Sequence, residues 1–218
     1  MARTSVLEQK EKSSILKFPI LRFGYSSLLA PKAFRGDPKQ TPKFHLDIMI
    51  PKEIWKTEDF CKEFRQEVLR VYEAGSGKKG VKLNQIKHPA QDGDTKNVDA
   101  YQNHILIRPK ATSKPSVVDN FRNPMKDEQI ALIKPGDYGV VVLSVYYYDN
   151  MGGGVAAGLE VVQFARPGEP IGGANRTGLI SSLEDLDDDP MSSTESSEEE
   201  DVVTSVENKL AESDDEPF

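Results

Sequence analysis

The residues of this 218-residue chain that could do chemistry are basic side chains set beside aromatic rings. They are Lys32, Phe34 and Arg35; Lys43 and Phe44; Tyr101 and Arg108; Phe121 and Arg122; and the pair Tyr146 and Tyr148. Aromatic faces stack the bases of an unpaired nucleic-acid strand, at about 1–3 kcal/mol per base, while Lys and Arg track the phosphates. Phe44 lies on the apolar phase of its segment and is expected in the core. A second pattern is Asp214-Asp215-Glu216-Pro217-Phe218, a ring and its own carboxylate behind three acidic residues. Such a tip suits a small apolar pocket rimmed by Arg or Lys, and Pro217 limits the entropy lost on docking.

Residues for catalysis are poorly arranged. His45, His88 and His104 lie at unrelated spacings, and there is no Cys-x-x-Cys or His-x-x-x-His pattern, so no metal site is expected. Asp92-Gly93-Asp94 with Asp99 looks like a Ca²⁺ loop but lacks Gly at the sixth position and the closing Glu. Gly75-Ser76-Gly77-Lys78-Lys79-Gly80 lacks the Lys-[Ser/Thr] ending of a phosphate loop and a strand before it. Cys61 falls between apolar helical positions and reads as a buried thiol. The expectation is no enzyme, no cofactor and no metal.

Charge separates the chain into two parts. From Leu179 onward there are fifteen Asp and Glu against Lys209 alone, a net of −14. The first 178 residues hold 27 Lys and Arg against 20 Asp and Glu, a net of +7. A basic body with an acidic tail can both grip a polyanion and regulate that grip. One cysteine forbids an intramolecular disulfide and suits a reducing compartment. No stretch approaches the ~18 apolar residues of a membrane span. Residues 1–14 lack the apolar core of a signal peptide. A soluble, cytoplasmic protein without membrane contact is expected.

Residues 1–14 are polar and read as a flexible arm. Ile15 to Leu29 reads as one long or two short strands, ending at the turn Ala30-Pro31-Lys32. Phe44, Leu46, Ile48 and Ile50 alternate on one face of a half-buried strand that Pro51 stops. Thr57 to Ala74 is the one helix, capped by Thr57, ended by Gly75 and Gly77, with Phe60, Phe64, Val68, Val71 and Tyr72 on one side. Gly75 to Asp99 reads as loop, Tyr101 to Ile107 as strand, and Val117-Val118 as a short extended piece. Gly139 to Tyr148 is the strongest strand, and Val155 to Phe164 returns after the glycine-rich turn Asp149–Gly154. Several strands and one helix give a mainly β barrel or sandwich. From Leu179 the Ser, Asp and Glu bias predicts a disordered tail, in which Ser196-Ser197-Glu198-Glu199-Glu200-Asp201 would suit phosphorylation.

The tip resembles the acidic C-terminal peptide of bacterial single-stranded DNA-binding proteins, and the body resembles a phage family of such proteins built on an OB fold. The matching segments are Leu29–Phe34, Phe44–Lys52, Lys114–Asp119, Tyr146–Gly154, Gly158-Leu159 with Val161-Val162-Gln163, and Gly168–Gly173, in order across most of residues 22–174. The resemblance implies a five-stranded OB barrel, placed at 15–178 between the flexible arm at 1–14 and the disordered tail at 179–218 read above. The N-terminal extension and the long tail depart from the family pattern. It implies sequence-nonspecific binding of single-stranded DNA in phage replication, recombination and repair within the host cytoplasm. It also implies that the tip recruits a DNA polymerase or helicase/primase and competes with DNA for the groove; a homodimer is left open. The expected DNA contacts are Lys32, Phe34, Arg35, Lys43, Tyr101, Arg108, Lys110, Lys114, Arg122, Tyr146 and Tyr148. The expected partner contacts are Asp214, Asp215, Glu216, Pro217 and Phe218. Two alternatives are an acidic-tailed chaperone for basic proteins and a metal-dependent nuclease built on Asp92, Asp94 and Asp99.

Overall fold

The computed structural model describes residues 5–33 and 39–172. Phe34, Arg35, the tail from 179 and the tip Asp214–Phe218 lie outside the described residues. The described residues form ten strands: β1 Ser5–Lys10, β2 Ser13–Lys17, β3 Leu21–Lys32, β4 Lys43–Pro51, β5 Ala90–Asp92, β6 His104–Ile107, β7 Lys110–Ala111, β8 Ser116–Val118, β9 Tyr138–Tyr148 and β10 Gly154–Arg166. Three helices accompany them: α1 Lys52–Thr57, α2 Asp59–Ser76 and α3 Asp127–Ile130. None is long and apolar enough among the described residues to cross a membrane.

Five strands close a ring. β3 pairs with β4, β4 with β7, β7 with β10, β10 with β9, and β9 returns to β3. Only the β7–β10 contact in the ring is parallel. Numbered in chain order the five ring strands run 1-2-3-5-4-1, the closed Greek-key course of an OB barrel. Alternation fills it: Val141, Leu143 and Val145 of β9 meet Leu46 and Ile48 of β4 and Val155, Leu159 and Val162 of β10 in one buried cluster.

Helix α2 lies against β2, β9 and β10. It buries Phe60, Cys61, Phe64, Val68, Val71 and Tyr72, the face set by the 3.6-residue period. Phe64 meets Phe18 edge-on at 5.3 Å, and Tyr72 meets Tyr147 edge-on at 5.9 Å. Burial pushes the Cys61 thiol up to about 12, so it is an inert core group. Gly77 ends the helix in the left-handed region at φ 71°, its N–H reaching Glu73 O. Gly75 belongs to the helix, where a Cβ would strike the Tyr147 ring at 2.1 Å.

Several expectations change. Residues 5–14, read as a flexible arm, form β1 and the start of β2, which add antiparallel strands beside β9. β2 buries Leu16 in the core, whereas β1 is almost wholly exposed and the hairpin's turn end is anchored by polar side chains. The Arg70 guanidinium donates to Lys10 O at 3.0 Å, Glu11 O at 3.1 Å and Ser13 O at 3.4 Å, and Ser14 and Arg70 both donate to the Glu67 carboxylate. Thr57 does not cap α2. It closes α1, with its hydroxyl donating to Glu53 O at 2.9 Å, and Glu58 precedes α2 without a side-chain cap. Strand β3 continues through Ala30-Pro31-Lys32, expected as a turn. Strand β4 is buried on both faces from Leu46 to Ile50, because Tyr101, Leu106 and Ile171 cover Met49 on its outer side.

Candidate nucleic-acid interface

The site is built where β3, β4 and β7 come together at one end of the ring. Strand pairing sets Lys32 directly opposite Lys43, and His45 directly opposite Lys110. Like charges facing each other across an antiparallel pair repel, so the Lys32–Lys43 pairing is a local cost that an anion relieves. A recess of about 240 Å³ opens among Lys32, Ala33, Gln40, Thr41, Lys43, His45, Arg108 and Lys110, with no acidic side chain in its described lining.

Arg108 is fixed by a carboxylate behind it. Its Nε and one terminal nitrogen both donate to Asp47, which is 0% exposed. Tyr101 donates its hydroxyl hydrogen to the same carboxylate and accepts from Tyr25 N at 3.0 Å. A guanidinium has five N–H groups, so a two-point grip leaves others for the recess. The hydrogen bond to Asp47 holds the Arg108 charge more firmly than usual. Burial lowers the pKa of Lys110, and the charges of Arg108 and Lys43 lower it further. Burial and then Arg108 do the same to His45. Each of these groups would be more easily charged with a phosphate in the recess.

Outward residues carry the surface onto β9 and β10. Gly158 pairs with Lys110 on one side and Ser144 on the other. A Cβ at Gly158 would lie 2.4 Å from Ser144 Oγ and 3.6 Å from the Tyr146 ring, so the glycine leaves a flat floor beside that ring. Tyr146 is 39% exposed, and Tyr148 shares its outward phase, half-buried. Tyr147 takes the opposite phase and packs on α2.

The predicted contacts therefore separate. Lys32, Lys43, Arg108 and Lys110 converge on one recess, and Tyr146 stands across Gly158 from Lys110. Tyr101 is a correction: at 2% exposure its ring belongs to the packing over β4 and its hydroxyl to Asp47, so it offers no face for stacking. Lys114 is set apart and pairs with Asp127 at 2.6 Å. Arg122 sits on the turn after β8, at φ 72°. His45, Gln40 and Thr41 were missed. His45 could have been found from the polar phase of its strand, whereas Gln40 and Thr41 carry no local signal.

Two of the three acidic residues of the nuclease alternative, Asp92 and Asp94, are committed elsewhere. Lys52 Nζ lies 2.7 Å from Asp92 and 2.6 Å from Asp94, and Asp94 also accepts Asn103 N at 2.7 Å. The lysine ammonium occupies the place between the two carboxylates that the alternative reserves for a cation.

Comparison with known proteins gives a consistent set. The model of the family described as Enterobacter phage Enc34, ssDNA-binding protein matches residues 15–202. Protein p50 of Acyrthosiphon pisum secondary endosymbiont phage 1 is 27% identical over 197 residues, covering 87% of this chain and 99% of that protein. The single-stranded DNA-binding protein of bacteriophage Enc34, solved in complex with ssDNA, superposes with a TM-score of 0.62 at 17% identity, covering 78% of this chain and 98% of the other. The single-stranded DNA-binding protein gp2.5 of bacteriophage T7 gives 0.52 at 16% identity, covering 78% and 97%. The two structures share the fold with this chain.

Proposed function

The chain belongs to the family of the Enterobacter phage Enc34 ssDNA-binding protein, a family of binding proteins rather than enzymes, and from that premise we propose that it binds single-stranded DNA through the recess of β3, β4 and β7. The observation that carries this reading is the set of four cations, Lys32, Lys43, Arg108 and Lys110, held together against their mutual repulsion with Tyr146 beside them. In this reading phosphates lie along the cations and bases stack on the outward tyrosines. The contacts address backbone and ring faces, so binding is indifferent to sequence. The protein coats strands exposed during phage replication and recombination in the host cytoplasm. Its acidic tip, Asp214 to Phe218, recruits a polymerase or helicase and competes with DNA for the basic recess.

Replacing Lys43 and Lys110 together by Glu tests the recess. For a single strand, each phosphate deprived of its cation takes about 0.7 off the slope of log affinity against log salt. The double variant should bind oligo-dT at least tenfold more weakly, with a slope shallower by about 1.4. Unchanged affinity and slope would place the DNA elsewhere.

A further inference from the structure

We propose that Phe121, with Arg122 beside it, forms a second base-stacking platform that extends the DNA path along β10; this rests on the single-strand binding proposed above. Phe121 is 74% exposed, well above the 39% of Tyr146. An apolar ring left in water on a loose loop would mean little, but this loop is fixed. The Asp119 carboxylate accepts Phe121 N and Asn123 N, each at 2.8 Å, and Asn123 Nδ2 at 3.0 Å. Arg122 N donates to Asp119 O at 3.1 Å, and Asp119 N donates to Asn123 O at 2.9 Å. Arg122 is held at φ 72°, a left-handed conformation that a non-glycine side chain rarely adopts and that the surrounding bonds must enforce. The ring is displayed with its backbone already ordered, so a ligand that covers it meets a small entropic cost.

The loop also lies on the right face. On β10 the inward residues are Val155, Ala157, Leu159 and Val162, and Gln163 falls between the inward phases. Its amide donates to Asp119 O and Asn120 O, both at 3.3 Å, which ties the Phe121 loop to the side of β10 that also carries Gly158. Gly158 pairs with Lys110 and Gln163 with Val118, both along the same edge of β10. Five residue steps of strand lead from Gly158 to Gln163, roughly 17 Å. A strand seated on Tyr146 and Lys110 and led along this edge reaches the loop within a few nucleotides. Arg122 then supplies a charge for phosphate beside the ring, the pairing of types found at the recess.

The experiment uses the full chain and three variants, Phe121→Ala, Phe121→Trp and Tyr146→Ala, with oligo-dT of about 16 nucleotides, the upper range for one OB fold. Phe121→Ala should bind roughly 5- to 150-fold more weakly, the equivalent of one missing stack, with an unchanged melting temperature. Phe121→Trp should restore affinity, and its emission should be quenched by the oligonucleotide beyond any change in the parent's Trp55, which packs on Phe64 and Arg65. Parent-like affinity of Phe121→Ala, or unquenched emission at position 121 under saturating DNA, would overturn the platform and leave the ring to a protein partner. If the parent binds and only Tyr146→Ala is weakened, the proposed function stands and this platform falls. If the parent does not bind, both fall.

Discussion

Tyr101 and Tyr146 are the same residue type in opposite surroundings, one 2% exposed and the other 39%. The hydroxyl of Tyr101 meets Asp47, 54 positions away, and that contact carries it into the interior. No local pattern announces a partner so distant. The alternation of β9 separates Tyr146 from Tyr147, but which of the two faces outward is not legible in the sequence, since both phases of that strand are mainly apolar or aromatic. The packing of Tyr147 on α2 decides it. Tyr101→Phe should lower stability by about 1–2 kcal/mol, since it leaves Tyr25 N and Asp47 each short of a partner, and should leave DNA affinity unchanged. Tyr146→Ala should do the reverse, weakening oligo-dT binding roughly 5- to 150-fold at constant stability. Chemical denaturation and fluorescence anisotropy on both variants check the pair. Asp47→Ala should damage both properties. It frees Arg108 from its orienting carboxylate and removes one side of a largely buried ion pair, which costs about 3 kcal/mol.

At the scale of elements, α2 and the β9–β10 hairpin were readable from period and turn chemistry. The apolar face of the helix and the strict alternation of β9 are strong local signals. The β1–β2 hairpin was not readable, because β1 is almost wholly exposed and is held by Glu67 and Arg70 of a helix more than fifty residues on. Burial alone would raise the Glu67 pKa, but hydrogen bonds from Ser14, Arg70 and Gln9 outweigh it and hold the group below the ordinary carboxylate value of 4.5. A carboxyl whose folded pKa is depressed contributes stability that is complete above its unfolded value and is lost as pH falls through the lowered one. Amide exchange in β1 and β2 should therefore accelerate as pH drops below about 4.5. In Glu67→Gln that extra acceleration should be absent. Equal pH dependence in the two proteins, after allowing for intrinsic exchange, would show that Glu67 does not hold the hairpin.

For the whole molecule, the ring of five strands was foreseen only through family resemblance, since composition left barrel and sandwich open. Its closure depends on β7, two residues long, too short to leave a pattern. The charge division was legible outright: −14 from Leu179 onward against +7 before it. The proposed function has this acidic segment compete with DNA for the body's cations. Removing residues 179–218 should therefore leave oligo-dT affinity equal or tighter, with the greatest gain at low salt, where charges are least screened. An acidic-tailed chaperone would instead lose its function with those residues and show no affinity for DNA. The central claim, that this chain grips single-stranded DNA by its basic recess, is met most directly by a salt titration of oligo-dT binding with the full chain. Measurable binding at low salt, with log affinity falling linearly as log salt rises, is the result expected. No binding at low salt, or an affinity indifferent to salt, would contradict it.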